Sequence, residues 1–251
     1  FADIHDLVVV QCEYFGIEFM QRPKPFTLGP DFWKGKLTER DLAALVAGET
    51  NIMTVLSRYD ITLTMGEELD ESAENFNDMG IMQCLDNIAA VMMVQAILRD
   101  NKLEFDSNRI IAYGHSHGAY LAYLCNRLAP GIFSRIIDNS AWLLPIYFTH
   151  NREATMSIGK CKIITVFNYY AQREFDPEFL TLPQLYHSFS NECAILCFHG
   201  ANDTLASVAS KRNFCAQLDH CDYFEIGDEQ LDGRIFKSTE HGLGADFLEL
   251  F

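Results

Sequence analysis

The chain has 251 residues, a formal charge of -16, and 49% hydrophobic and 12% aromatic side chains, enough apolar material for one sizeable α/β domain. So acidic a body repels nucleic acid and anionic membrane surfaces unless a basic patch is set aside, and no run of Lys and Arg supplies one. Uninterrupted apolar stretches fall far short of the about 20 residues of a membrane helix, so no membrane span is expected. Cysteines 12, 84, 125, 161, 193, 197, 215 and 221 form no C-x-x-C pair, and Cys12, Cys125, Cys193 and Cys197 lie in apolar runs. That is the usage of small buried thiols in a reducing compartment, so a cytoplasmic protein with no metal and no cofactor is expected.

Leu7-Val8-Val9-Val10-Gln11-Cys12 reads as a parallel strand buried on both faces, and it is expected to be central. The chain opens at Phe1 rather than Met, almost directly into this run, so strands ahead of it are left open. Residues 15–74 hold Pro23, Pro25 and Pro30, a helical patch over Thr38–Val46, and one further candidate strand, Ile61–Met65. Met82, Leu85, Ala89, Met92 and Ala96 then recur three and four apart, behind the candidate caps Asn75, Asn77 and Asp78. This spacing predicts a long amphipathic helix ending near Asn101, with the stripe turned to the core.

Residues 109–113 form a short apolar strand, followed by Gly114-His115-Ser116-His117-Gly118 and a helix over 117–128. A serine between glycines at a tight strand-to-helix turn is the pattern of a nucleophile elbow. The glycines leave room for the two chain segments to pass, and the strained turn lifts the hydroxyl clear of the sheet. A further strand is expected over Ile132–Ile137, ending in Asp138-Asn139-Ser140. Leu143–Ser190 is rich in Tyr, Phe and His, with a hairpin near Cys161–Phe167, and reads as an insertion. It either roofs the catalytic edge and lines an acyl or sugar pocket, or buries its aromatics against the domain. Strands at 193–198 and 223–226 follow, separated by a helix over about 205–218, and a loop through Glu240-His241-Gly242 leads to a short closing helix.

A serine hydroxyl is a poor nucleophile near neutral pH, so a base must take its proton and a carboxylate must orient that base. Ser116, Asp203 and His241 follow three strand ends in the order nucleophile, acid, base, and are the expected catalytic residues. Asp138, which also ends a strand, is the strongest rival acid; Asp203 is preferred for its His199-Gly200-Ala201-Asn202-Asp203 context. His115 and His117, which flank the serine, are expected to be structural or pocket-lining, and His199 to hold the acid loop. The backbone N–H of His117, just after the serine, is one expected oxyanion donor, and Tyr14 is the second by position only, since no His-Gly-Gly-Gly motif is present.

Gly114–Gly118, His199–Asp203 and Glu240–Gly242 resemble the three catalytic blocks of the α/β-hydrolase superfamily. Asn75–Gly80 and Ile136–Trp142 further resemble a bacterial family of unknown function with a Ser-Asp-His triad, which is more distantly similar to an accessory secretion protein associated with glycan acetylation. The resemblance implies one α/β-hydrolase domain over 1–251: a mostly parallel central sheet flanked by helices, with an insertion after the sixth strand at 143–190. The expected activity is that of a serine esterase on a small acyl or glycan substrate. An O-acyltransferase acting on a glycan and an inactive binding module of the same fold are the alternatives.

Overall fold

In the computed structural model, residues 2–20, 30–67, 69–173, 175–246 and 249 are described. Pro23 and Pro25 lie outside them, and so does most of the expected closing helix. The strands are β1 (Thr62–Glu67), β2 (Ile111–His115), β3 (Arg135–Asn139), β4 (Arg152–Ile158), β5 (Cys161–Phe167), β6 (Ala194–Gly200) and β7 (Cys221–Ile226). The helices are α1 (Ala2–His5), α2 (Pro30–Trp33), α3 (Glu39–Val46), α4 (Ile52–Leu56), α5 (Ile81–Asp100), α6 (His117–Leu128), α7 (Leu182–Tyr186) and α8 (Val208–Cys215).

The strands form two sheets. β2, β3, β6 and β7 make an all-parallel sheet in the order β2-β3-β6-β7, and β1, β5 and β4 make a smaller one in the order β1-β5-β4. In the parallel sheet Gly114 pairs with Asp138 and Asp138 with Cys197, so the ends of β2, β3 and β6 come level at one edge. β6 alternates, with Ile195, Cys197 and His199 buried and Leu196 and Phe198 only half so. Its buried face carries α6 and α8: Phe214 of α8 meets Tyr123 of α6 edge-on, ring centroids 5.6 Å apart. The other face is covered in part by Phe198 stacked on Phe224, with Phe236 beside them.

α6 is the centre of the core. It is buried from Ala119 through Asn126, a run of Ala, Leu and Tyr closed by Cys125 and Asn126, and it packs on β2 and β3. α5 starts where the Asp78 carboxylate accepts the N–H groups of Met82 (2.6 Å) and Gln83 (3.3 Å), the cap expected there. Its packing does not follow the expected stripe: Gln83, Cys84 and Ile88 are buried, whereas Met82, Leu85 and Met92 are exposed. The helix is apolar all round, so spacing alone selects no face. Contact with α6 does, and there the Cys84 and Cys125 sulfurs lie 3.3 Å apart. By length and composition α5 is long and apolar enough to cross a membrane, which the reading of uninterrupted runs missed.

Leu7–Cys12 is not a strand. The run is irregular and its apolar side chains are exposed, Val8 by 59%. β-branched composition favours a strand only where a neighbouring strand meets the backbone hydrogen bonds, and among the described residues none pairs with this run. Cys12, expected in the core, is half-buried with its thiol on Asn87 Oδ1 (3.3 Å).

Segment 143–190 falls between β3 and β6 of the parallel sheet. Its hairpin, β4 and β5, joins β1 from the part of the chain that was hardest to read, and Val55, Leu56, Leu63, Cys161 and Ile163 close a second core there. Phe148, Phe167 and Tyr169 form a third cluster with Met79 and Leu180. A cavity of about 460 Å³ beside this cluster is lined by Phe76, Asp78, Phe148, Tyr170, Phe175 and neighbouring residues; Ser116, Asp203 and His241 are not among them.

Candidate active site

Ser116 joins β2 to α6 with φ 54° and ψ -113°, a left-handed conformation that costs a non-glycine residue of the order of 1–3 kcal/mol. The strain is enforced from two sides. The Ser116 N–H donates to the Asn139 carbonyl (2.8 Å), and the Ser116 carbonyl accepts from the Tyr120 N–H (3.1 Å). Gly114 allows the close pass, because a Cβ there would lie 2.3 Å from the backbone of Ala119. Gly118, expected to do the same, does not: a Cβ there meets nothing within 4 Å. Ser116 sits at the N-cap of α6 without capping it, so its hydroxyl is available to another partner.

That partner is His241. Ser116 Oγ lies 2.7 Å from His241 Nε2, and His241 Nδ1 lies 2.8 Å from Asp203 Oδ2. The structure thus brings together the three residues named from the sequence, drawn from the ends of β2 and β6 and from the loop after β7. The loop bearing His241 is fastened on both sides. The Gly242 N–H donates to Ser140 Oγ (3.0 Å) and its carbonyl accepts from Asn139 Nδ2 (3.2 Å), while Asn202 binds Thr239 through both its N–H and its side chain. Gly200 is needed where these loops touch, since a Cβ would come 2.3 Å from the Thr239 carbonyl oxygen.

Burial of Asp203 works against its ionisation. Hydrogen bonds from His241 and from the N–H groups of Ala206 and Leu205 outweigh that and hold the carboxyl below its usual range. Asp203 Oδ1 accepts both of those N–H groups, which leaves Oδ2 to His241. His199 holds the acid loop as expected, through Nε2 on the Ala206 carbonyl (3.1 Å). The rival acid Asp138 is engaged elsewhere: fully buried, it is ion-paired with Lys211 (2.6 Å) and accepts from Tyr123 Oη and the Ala141 N–H.

His117 opens α6, so its backbone N–H is one of the first four that a helix leaves without a carbonyl partner of its own. Its ring is buried, with Nε2 2.7 Å from Gln83 Oε1, and burial pushes its pKa down to about 4. His115 is likewise lowered by burial and by nearby His241, with ring centroids 6.0 Å apart. Tyr14 makes no hydrogen bond to Ser116, Asp203 or His241 among the described residues. Its neighbour Phe15 is held on α5, the N–H by Asp86 (2.7 Å) and the carbonyl by Gln83 Nε2 (3.1 Å). Two aromatics at the start of the segment expected to roof the catalytic edge, Trp142 and Tyr147, lie by the site. Trp142 stacks on His241, centroids 6.3 Å apart, and Tyr147 meets Trp142 edge-on. Gln83 is the residue that went unnoticed in the sequence, for no spacing rule marks a lone glutamine on an apolar helix.

An α/β protein with a parallel sheet and a Ser-His-Asp hydrogen-bonded chain at its strand ends is thus defined by its own atoms. A family described as "Protein of unknown function (DUF2920)" matches residues 46–151, a stretch that includes Ser116 but neither Asp203 nor His241. No curated protein matches the chain. Among solved structures it is similar to the esterase domain of a Rhodothermus marinus protein, at 15% identity and TM-score 0.36, covering 61% of each chain. It is also similar to Est1E of Butyrivibrio proteoclasticus with ferulic acid bound, at 15% identity and TM-score 0.38, covering 77% of this chain and 85% of that one. A third is MGS-MChE2, an α/β hydrolase enzyme from a metagenome of lagoon sediments at Mar Chica, Morocco, at 11% identity and TM-score 0.40, covering 76% and 85%. The chain spans about three fifths of the length of the Rhodothermus domain. Likenesses of this depth fix neither substrate nor reaction.

Proposed function

We propose that the chain is a serine hydrolase that cleaves a carboxylic ester or related acyl compound through an acyl-enzyme on Ser116. The observation that supports this most directly is the unbroken hydrogen-bonded chain from Ser116 Oγ through His241 to Asp203, on a serine held at a left-handed turn. In this reading His241 Nε2 takes the proton as Ser116 Oγ attacks the acyl carbon, and Asp203 stabilises the imidazolium formed. The tetrahedral oxyanion faces the His117 N–H, with Tyr14 proposed as the second donor. His241 then gives the proton to the leaving alcohol, takes one from the water that attacks the acyl carbon, and passes it to Ser116 Oγ as the Oγ–acyl bond breaks and the acid leaves. Trp142 lies near-parallel to the His241 ring, with centroids 6.3 Å apart, on one side of the site. A cytoplasmic setting is proposed with it, in keeping with eight free cysteines.

The test is the partition of a short-chain aryl ester with and without millimolar sugar acceptors. Steady acid release that sugars leave unchanged, lost in Ser116→Ala, is the expected result. Slow release after a burst, accelerated by a sugar that becomes acylated, would replace hydrolysis by transfer. No turnover, together with no fluorophosphonate labelling of Ser116, would leave a binding module.

A further inference from the structure

Gln83 is fully buried on a helix whose other buried residues are Cys84 and Ile88, and nothing in the triad uses it. A buried primary amide with no task costs free energy unless both its ends are met. Here they are met by the two segments that flank the proposed oxyanion site. Oε1 faces His117 Nε2 at 2.7 Å, and Nε2 donates to the Phe15 carbonyl (3.1 Å) and to Asn77 Oδ1 (2.6 Å).

The orientation of each group follows from backbone atoms that have no choice of role. The Met79 N–H can only donate, so the atom of Asn77 that meets it at 3.2 Å is the acceptor Oδ1. The Phe15 carbonyl can only accept, so Gln83 turns Nε2 toward Phe15 and Asn77 and must turn Oε1 toward His117. An oxygen at 2.7 Å requires a hydrogen on His117 Nε2. His117 therefore carries Nε2–H, and a buried Nδ1 without a partner among the described residues, together with a pKa lowered by burial to about 4, makes the ring the neutral Nε2–H tautomer.

Building on the serine hydrolase reading, we propose that Gln83 is a positioning residue of the oxyanion site. With one side chain it fixes the His117 ring, and so the first turn of α6 that presents the His117 N–H. With the other end of the same amide it fixes the Tyr14–Phe15 backbone. The distance between the two donor segments is then set by one rigid amide rather than by two loops. Gln83 touches neither Ser116 nor His241, and its effect on the reaction passes through His117 and Phe15.

Tyr120 on α6 and Trp142 after β3 pack on the His117 ring, each with centroids 5.9 Å from it. The ionisable groups around this network are Tyr120 against the ring, Asp78 and Cys84, which act on Tyr120, Asp86, which holds the Phe15 N–H, and His241 across Trp142, with His115 two residues away in the chain. Burial alone accounts for the low pKa of His117, about 4, so the ring is neutral near pH 7.

The experiment combines ¹⁵N NMR of His117 with kinetics of Gln83→Leu and Gln83→Glu. In the wild type, His117 should show a protonated Nε2 and an unprotonated Nδ1 with no titration above about pH 5. An Nδ1–H tautomer, or titration near the ordinary histidine value of about 6.5, overturns the assignment without any variant. Gln83→Leu should lower kcat and the rate of fluorophosphonate labelling by at least about tenfold with KM little changed, because the donors matter most in the transition state. Gln83→Glu keeps an acceptor toward Nε2 but loses the donor to Phe15 and Asn77; the Nε2–H tautomer should persist with its titration point raised toward neutrality, while labelling stays slow because the Phe15 end is released. Equal labelling rates in wild type and Gln83→Leu refute the positioning role. Absent labelling of wild-type Ser116, with the tautomer as stated, would locate the failure in the hydrolase reading instead.

Discussion

Replacing Lys211 by Met tests the ion pair beneath the acid loop. Lys211 Nζ, fully buried on α8, lies 2.6 Å from Asp138 Oδ2, 3.3 Å from the Ala141 carbonyl and 4.8 Å from the Tyr123 ring centroid. Burial opposes both charges. The attraction of Lys211 nonetheless holds the Asp138 carboxyl below its usual range, and Asp138 raises Lys211 above its own. Removing one partner of a buried pair costs about 3–5 kcal/mol. Asp138 keeps its bonds from the Ala141 N–H (2.7 Å) and Tyr123 Oη (2.9 Å), which argues for the lower end, about 3 kcal/mol. For a chain of this length that is a fall in Tm of roughly 6–12 °C.

The pH dependence of this effect carries a sign. In the wild type a depressed carboxyl pKa gives stability that is present above the unfolded value of about 3.9 and lost as pH falls through the folded one. The raised Lys211 contributes below about 10.4 and is lost only as pH rises through its folded value. Between pH 7 and 5 the pair's contribution is therefore flat. In Lys211→Met the carboxylate is buried without a cation, so its folded pKa rises above the unfolded one and the folded state takes up a proton first. The deficit relative to wild type should shrink on acidification from pH 7 to 5, by at most about 1.4 kcal/mol per unit. Guanidinium unfolding of both proteins at the two pH values measures it. A deficit below about 1 kcal/mol at pH 7, or one that grows on acidification, would refute the reasoning.

Gly114→Ala should cost about 3 kcal/mol or more, since its Cβ meets the Ala119 backbone, whereas Gly118→Ala should be neutral or stabilising by up to about 1 kcal/mol; thermal melts of the pair decide this. Asp203→Asn should lower the melt modestly, since the depressed carboxyl contributes stability at neutral pH, and on the proposed reading should lower esterase kcat on the order of 10³-fold to 10⁴-fold by disfavouring the Nδ1–H tautomer of His241; a loss below tenfold would remove Asp203 from its role. An aryl disulfide reagent should react in the native protein only at Cys12 and Cys221, the half-buried thiols, and at the other six only on unfolding, as read by mass spectrometry of labelled peptides.

What the sequence determined by itself was local chemistry and chain order. Gly114 through Gly118 could be read as an elbow because a strained turn between strand and helix demands a small set of residues within five positions. Asp203 and His241 could be read because parallel strands all end at one edge, so residues following successive strands converge there. The tertiary structure decided which apolar surface is buried. Leu7–Cys12 has the composition of a central strand yet lies exposed, because a strand exists only by pairing with a neighbour, and that neighbour is not written in the run itself. On α5 an apolar residue at almost every position leaves the buried face to be chosen by α6, which took Gln83, Cys84 and Ile88 rather than the methionine stripe. For the same reason the partners of Asp138, Lys211, Gln83 and Trp142 were not legible: their roles are set by residues distant in the chain that only packing brings within about 3–6 Å.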